Sequence, residues 1–160
     1  MTSLRLGRLE VVLEPHRLSF TGRIDDSAAL ADLLRHVPTG PVVLDTDGVT
    51  FVNSVGMREW MRFVRTIRDL GAVITLERVA DVLMTQINMI PDLARNVTVA
   101  SFHAQYVCPG CGAEAAPIVD AIANAAALKR LQAPKLPCEE CGAAMELGDF
   151  PERYLSIFRG

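Results

Sequence analysis

Hydrophobic residues in this chain alternate between two periods. Val11, Val12 and Leu13 within Glu10–Glu14 predict a strand, and Pro15-His16 predicts a turn. Leu18, Phe20, Gly22 and Ile24 then recur every second residue, which predicts a second strand over Arg17–Ile24 and a hairpin. Asp25, Asp26 and Ser27 supply helix-start chemistry. The period next lengthens: Ala29, Leu30, Leu33 and Leu34 share one face of a helix over Ala28–His36. Pro38-Thr39-Gly40-Pro41 breaks it. Val42–Leu44 reads as a short strand, Asp47-Gly48 as a turn, and Val49 and Phe51 as a brief extended stretch.

A long helix is expected from Asn53 or Ser54, because Met57, Trp60, Met61, Val64 and Ile67 recur at three and four residues. That spacing puts Trp60 in the core. Gly71 marks the end of this helix. Ala72–Leu76 predicts a strand, Val79–Met89 a third helix ended near Pro91, and Val97–Phe102 a last strand. Strands joined by helices imply parallel pairing, and the opening hairpin makes the sheet mixed.

The pattern changes after His103. Two Cys-x-x-Cys-Gly knuckles, Cys108 to Gly112 and Cys138 to Gly142, flank an Ala-rich stretch that predicts a helix over Ala115–Leu131. Ile118, Val119, Ile122 and Leu128 are its apolar positions. The tail carries Phe150, Tyr154, Leu155 and Phe158 at helical spacing, which predicts docking on its own domain. The chain therefore divides into an α/β domain, 1–104, and a smaller cysteine-bearing domain with a helical insertion, 105–160.

Composition narrows the function classes. The 160 residues are 50% hydrophobic and 22% charged, which is a globular balance. A net charge of −3 disfavours a generally basic nucleic-acid binder. No apolar run approaches the roughly 20 residues of a membrane span, and Met1 to Arg8 lacks a secretory pattern. A cytoplasmic protein is expected. Four cysteines in that compartment point to metal, with disulfides, free thiols or a redox dithiol as the competing readings.

Four thiolates close a tetrahedral zinc shell, so Cys108, Cys111, Cys138 and Cys141 predict structural zinc in a zinc ribbon. The glycine after each second cysteine lets the backbone turn beneath the metal. If zinc is structural, chelation unfolds residues 105–149 and leaves the first domain folded. From residue 105 onward, five basic residues (Lys129, Arg130, Lys135, Arg153, Arg159) face seven acidic ones (Glu114, Asp120, Glu139, Glu140, Glu146, Asp149, Glu152). That balance argues against nucleic acid and for protein docking or stabilisation.

Ser54 sits where the long helix begins. Serine is a preferred helix cap, and a phosphate there would meet free N–H groups and the positive helix end. Arg58, Arg62 and Arg65 share the polar face of that helix, either as a solvated stripe or as a surface for an acidic partner. His16, His36 and His103 are scattered. Asp45 and Asp47 read as a strand end and a turn. No phosphate-binding or nucleophile motif is present, so no enzyme activity is expected.

The segments Phe20-Thr-Gly22-Arg-Ile24-Asp25, Val42-Val-Leu-Asp45 and Phe51-Val-Asn53-Ser54-Val-Gly56-Met57 together resemble a STAS domain, the module of anti-sigma factor antagonists. The resemblance covers nearly two-thirds of the chain. It implies a bacterial-type regulatory adaptor whose partner is an anti-sigma factor, a kinase or another signalling protein. By the resemblance, Ser54 is the phosphorylated serine, and Asp25 is an acidic residue beside the same site. Asp25, Asn53, Ser54 and Gly56 of these segments, with Arg58 and Arg62 of the helix face, are the candidate partner-binding residues. Asn53 replaces the usual aspartate, a departure that favours a constitutive scaffold or transporter-accessory module. A ribbon-based transcription component that binds nucleic acid is the remaining alternative.

Overall fold

Alternation of apolar side chains begins before residue 10. A computed structural model, which describes residues 2–160, places β1 at Thr2–Leu6, β2 at Leu9–Glu14 and β3 at Arg17–Ile24. The bounds of β3 are those its period predicts. β1 is an addition: Leu4 and Leu6 repeat the period of two, and Leu6 pairs with Leu9 across a two-residue loop.

The expected helix over Ala28–His36 is instead a 3₁₀ segment, Leu30–His36. Leu30 and Leu33 are buried while Ala29 is exposed, which is the three-residue period of that tighter helix. Its start has no side-chain cap. Asp25, the expected start residue, turns its carboxylate onto Ser27 instead.

β4 runs unbroken over Gly40–Val52, absorbing two predicted strands and the expected Asp47-Gly48 turn. The Asp-Gly pair forms a bulge: Ser19 lies opposite Asp45, but Thr21 lies opposite Gly48. A side chain at Gly48 would put its Cβ 2.5 Å from Thr21 Oγ1 and 3.0 Å from the Phe20 carbonyl oxygen. Glycine here permits close strand contact and does not reverse the chain.

α1 spans Ser54–Asp69, β5 spans Ala72–Glu77, and α2 spans Asp81–Met89. α2 starts two residues later than predicted because the Val79 N–H donates to the Ser101 carbonyl and Val79 bridges to Phe102. The predicted last strand is split. β6, Val97–Val99, pairs with β5, and β7, Ser101–His103, pairs elsewhere.

The result is α/β: a mixed six-stranded sheet ordered β1-β2-β3-β4-β5-β6. β1 to β3 are antiparallel and β3 to β6 are parallel. α1 buries Met57, Trp60, Phe63, Val64 and Ile67. Trp60 meets Phe20 edge-on at 5.3 Å and 76°, a pairing that adds about 1 kcal/mol to simple burial.

The cysteine-bearing unit contains β8 (Tyr106–Val107), β9 (Glu114–Ala115), β10 (Ile118–Asp120), α3 (Ala125–Lys129), β11 (Leu136–Pro137), β12 (Ala144–Leu147) and α4 (Pro151–Tyr154). Its four-stranded sheet is ordered β11-β12-β8-β9. The predicted Ala115–Leu131 helix shrinks to the five residues of α3. Pro117 cannot donate within a helix, β10 pairs with β7, and Asp120 Oδ1 accepts from the N–H groups of Ile122 and Ala123. Alanine's helix propensity loses to those partners.

Contacts cross residue 104. Beyond the β7–β10 pair, the Tyr154 hydroxyl donates to the His103 carbonyl at 3.2 Å. Ser156 Oγ and the Ile157 N–H both donate to Asn88 Oδ1 on α2, each at 3.2 Å. Phe158 stacks on Phe102 at 5.2 Å. The tail thus docks on residues of the first unit, while Phe150 stays 71% exposed. No helix among the described residues is long and apolar enough to cross a membrane.

Candidate metal centre and helix edge

The two knuckles repeat one backbone arrangement. The Cys108 N–H donates to the Ala113 carbonyl, and the Gly112 N–H donates to the Cys108 carbonyl, both at 2.8 Å. Cys138, Ala143 and Gly142 make the same two bonds at the same length. Gly112 and Gly142 have φ of +78° and +77°, a left-handed turn that glycine adopts without a Cβ penalty. β8, β9, β11 and β12 bring the two turns face to face.

All four sulfurs lie within 4.8 Å of one another. Cys108 Sγ is 3.5 Å from Cys141 Sγ, and Cys111 Sγ is 3.7 Å from Cys138 Sγ. A tetrahedral ion with metal–sulfur bonds of about 2.3 Å sets its sulfurs about 3.8 Å apart. The donor set therefore fits a four-thiolate metal site and is compatible with zinc. These contacts join the two knuckles, and none of the four cysteines is in a disulfide. Backbone amides prepare the charge: the Cys111 N–H helps draw the Cys108 thiol down to about 7. Cys111 accepts from the Ala113 N–H, yet proton sharing with Cys141 and Cys138, with desolvation, pushes it up to about 12. A bound cation would replace those shared protons.

The start of α1 is a second constructed feature. Asn53 is the cap, its Oδ1 accepting from the Gly56 N–H at 2.8 Å. Ser54 occupies the first helical position and is exposed, as is Val55. Gly56 is buried against the end of β3: a Cβ there would lie 1.8 Å from the Ile24 carbonyl oxygen. Asp25 is also buried, at 2% exposure. Its Oδ1 accepts from the Ser27 hydroxyl at 2.6 Å and the Ser27 N–H at 2.9 Å, and Arg23 and Arg8 face its Oδ2. Ser27, then Arg23 and Arg8, hold the carboxyl below its ordinary range against the opposing cost of burial.

Gly56 and Asp25 thus shape the edge from beneath. Ser54, Arg58 and Arg62 reach solvent, and Asn53 is half-buried. Arg62 pairs with Glu59 at 3.1 Å. Arg58, Arg62 and Arg65 all lie on the exposed face of α1.

A third cluster escapes the sequence reading. Asp45 does not end a strand; it is buried within β4 and receives Arg17 at 3.1 Å and Arg78 Nε at 3.0 Å. Asp47 lies 2.5 Å from His103 Nε2, whose Nδ1 is 2.6 Å from the Ala116 carbonyl oxygen. This network ties β3, β4 and β7 to the first knuckle's exit. Its sequence separations, up to 56 residues between Asp47 and His103, carry no local signal. No protein-family model matches the chain, and no curated protein matches it.

Proposed function

We propose that this chain is a regulatory protein–protein interaction module of the STAS type, joined to a zinc ribbon. Ser54 and the exposed face of α1 form the partner-binding edge, and phosphorylation of Ser54 switches it. The observation carrying this reading is the exposed Ser54 at the first position of a 16-residue helix whose start is locked by Asn53 and Gly56. A phosphate there changes charge by close to −2 on an edge whose start is capped by Asn53. The partner is an anti-sigma factor, a kinase or another signalling protein, and the Arg58, Arg62 and Arg65 stripe suits an acidic surface on it. Partner exchange, and not catalysis, is the mechanism. The ribbon, residues 105–160, holds structural zinc on Cys108, Cys111, Cys138 and Cys141.

Asn53 supports a second reading, a constitutive module. Its amide caps the helix as an aspartate would but leaves the neighbour of Ser54 uncharged. One experiment separates the two. Wild type, Ser54→Ala and Ser54→Glu proteins are compared for capture of partners from host extract, with the Ser54 peptide assayed for phosphate by mass spectrometry. The switch reading expects phosphate on Ser54 and a partner kept by Ser54→Ala but lost by Ser54→Glu. Equal capture by all three, with no phosphate, overturns the switch and leaves the constitutive module.

A further inference from the structure

The four-stranded sheet of the cysteine-bearing unit ends in two free edges, β9 and β11. Both edges line one groove of about 320 Å³. Ala113 to Pro117 form one wall and Pro137 to Glu140 the other, while buried Met145 of β12 lies between them.

Hydrogen-bond parity shows what these walls present. In an antiparallel pair, directly opposed residues alternate between bonded and non-bonded pairs. The Cys108 N–H bonds the Ala113 carbonyl, so the next opposed pair, Val107 and Glu114, is of the non-bonded kind. The N–H and carbonyl of Glu114 therefore point off the free edge of β9. The Cys138 N–H likewise bonds Ala143, so the Pro137 carbonyl points off the free edge of β11. An extended segment can pair with such an edge through its main chain.

Side chains set the charge of that segment. Glu114, Glu139 and Glu140 are exposed at the groove, and none forms an ion pair among the described residues. No basic residue lines it. The remaining lining is small or apolar: alanines, prolines, Cys138 and Met145.

We propose that this groove binds an extended, basic peptide segment of a partner protein. Its main chain pairs with Glu114 at the β9 edge, and its Lys or Arg side chains meet Glu114, Glu139 and Glu140. The site rests on reading the cysteine-bearing unit as a docking unit, and it stands apart from Ser54 and α1 in every residue it uses.

The test uses the full-length, metal-loaded protein and two fluorescent octapeptides, one alternating Arg with Val and one alternating Glu with Val. Binding is read by anisotropy and its position by backbone amide shifts. The expected result is binding of the Arg-Val peptide only, with shifts at Glu114, Ala115 and Glu139. A Glu114→Gln/Glu139→Gln/Glu140→Gln variant, nearly isosteric and checked for unchanged metal content and melting temperature, should bind about tenfold more weakly. Equal binding by the variant, binding of both peptides, or shifts confined to other residues overturns the proposal. So do shifts of the same amides that grow with protein concentration alone, which would seat a second copy in the groove. A Ser54→Glu protein should bind the Arg-Val peptide as wild type does. Failure at the groove therefore leaves the Ser54 reading standing, and loss of the Ser54 switch leaves the groove.

Discussion

Asp25 is a buried carboxylate whose partners all come from the segments around it. Ser27 donates twice to one oxygen, and Arg23 and Arg8 face the other. Its pKa is lowered in the folded chain, first by the Ser27 hydrogen bonds. The folded state therefore binds this proton less readily than the unfolded state does. Stability from the ionised form is present above the unfolded pKa, near about 4, and is lost as pH falls through the lower folded value. Asp25→Asn keeps an oxygen for Ser27 but removes the charge. Melting temperature against pH should show the variant below wild type at neutral pH, with the gap closing below about pH 4. A gap that stays constant to low pH would assign the effect to shape and not to charge. The resemblance implies a partner-binding role for this residue; its burial makes it a support beneath the proposed edge.

At the scale of elements, α1 was the most legible part of the chain. Its apolar spacing, start and glycine stop all follow from local rules, and the structure places Ser54–Asp69 there. Asn53 supplies the cap, so Asn53→Ala should cost about 1 kcal/mol in urea unfolding, while Asn53→Asp should be neutral or slightly stabilising. Equal loss in both would mean that the amide nitrogen, and not the capping oxygen, is what the site requires. Elements that depend on distant partners were less legible. Gly48 carries a turn signal, yet the β3 pairing continues past it and β4 runs unbroken through the bulge. The Ala-rich stretch reads as helical by composition, yet Pro117 interrupts it and β7 takes Ile118–Asp120 as a strand. Four cysteines in two knuckles announced their cluster because the spacing itself is the chemistry. The groove beside them depends on how the strands of the sheet assemble, which no periodicity records.

At the scale of the molecule, the question is how far loss of a metal held by the four cysteines would travel. The sequence pattern alone expects damage confined to residues 105–149. The structure adds three couplings: β10 pairs with β7, Tyr154 bonds the His103 carbonyl, and Ser156 and Ile157 share Asn88 on α2. Phe158 also covers Phe102. Four thiolates released from a cation repel one another or take up protons, and the two knuckles lose their common anchor. β10 and the tail are then tethered to a disordered segment and open more often. Hydrogen–deuterium exchange after chelation should therefore show lost protection across 105–149, and also in Ser101–His103 and Tyr154–Phe158. β2 to β5 should keep theirs, because their pairing and the Trp60, Phe20 and Phe63 cluster involve no residue of the cysteine-bearing unit. Protection kept in the tail would show that Asn88 and Phe102 hold it unaided, and the two units would then be independent in stability. Protection lost in both places would make the metal a determinant of the α2 surface, and the two units would then be coupled in stability through the tail.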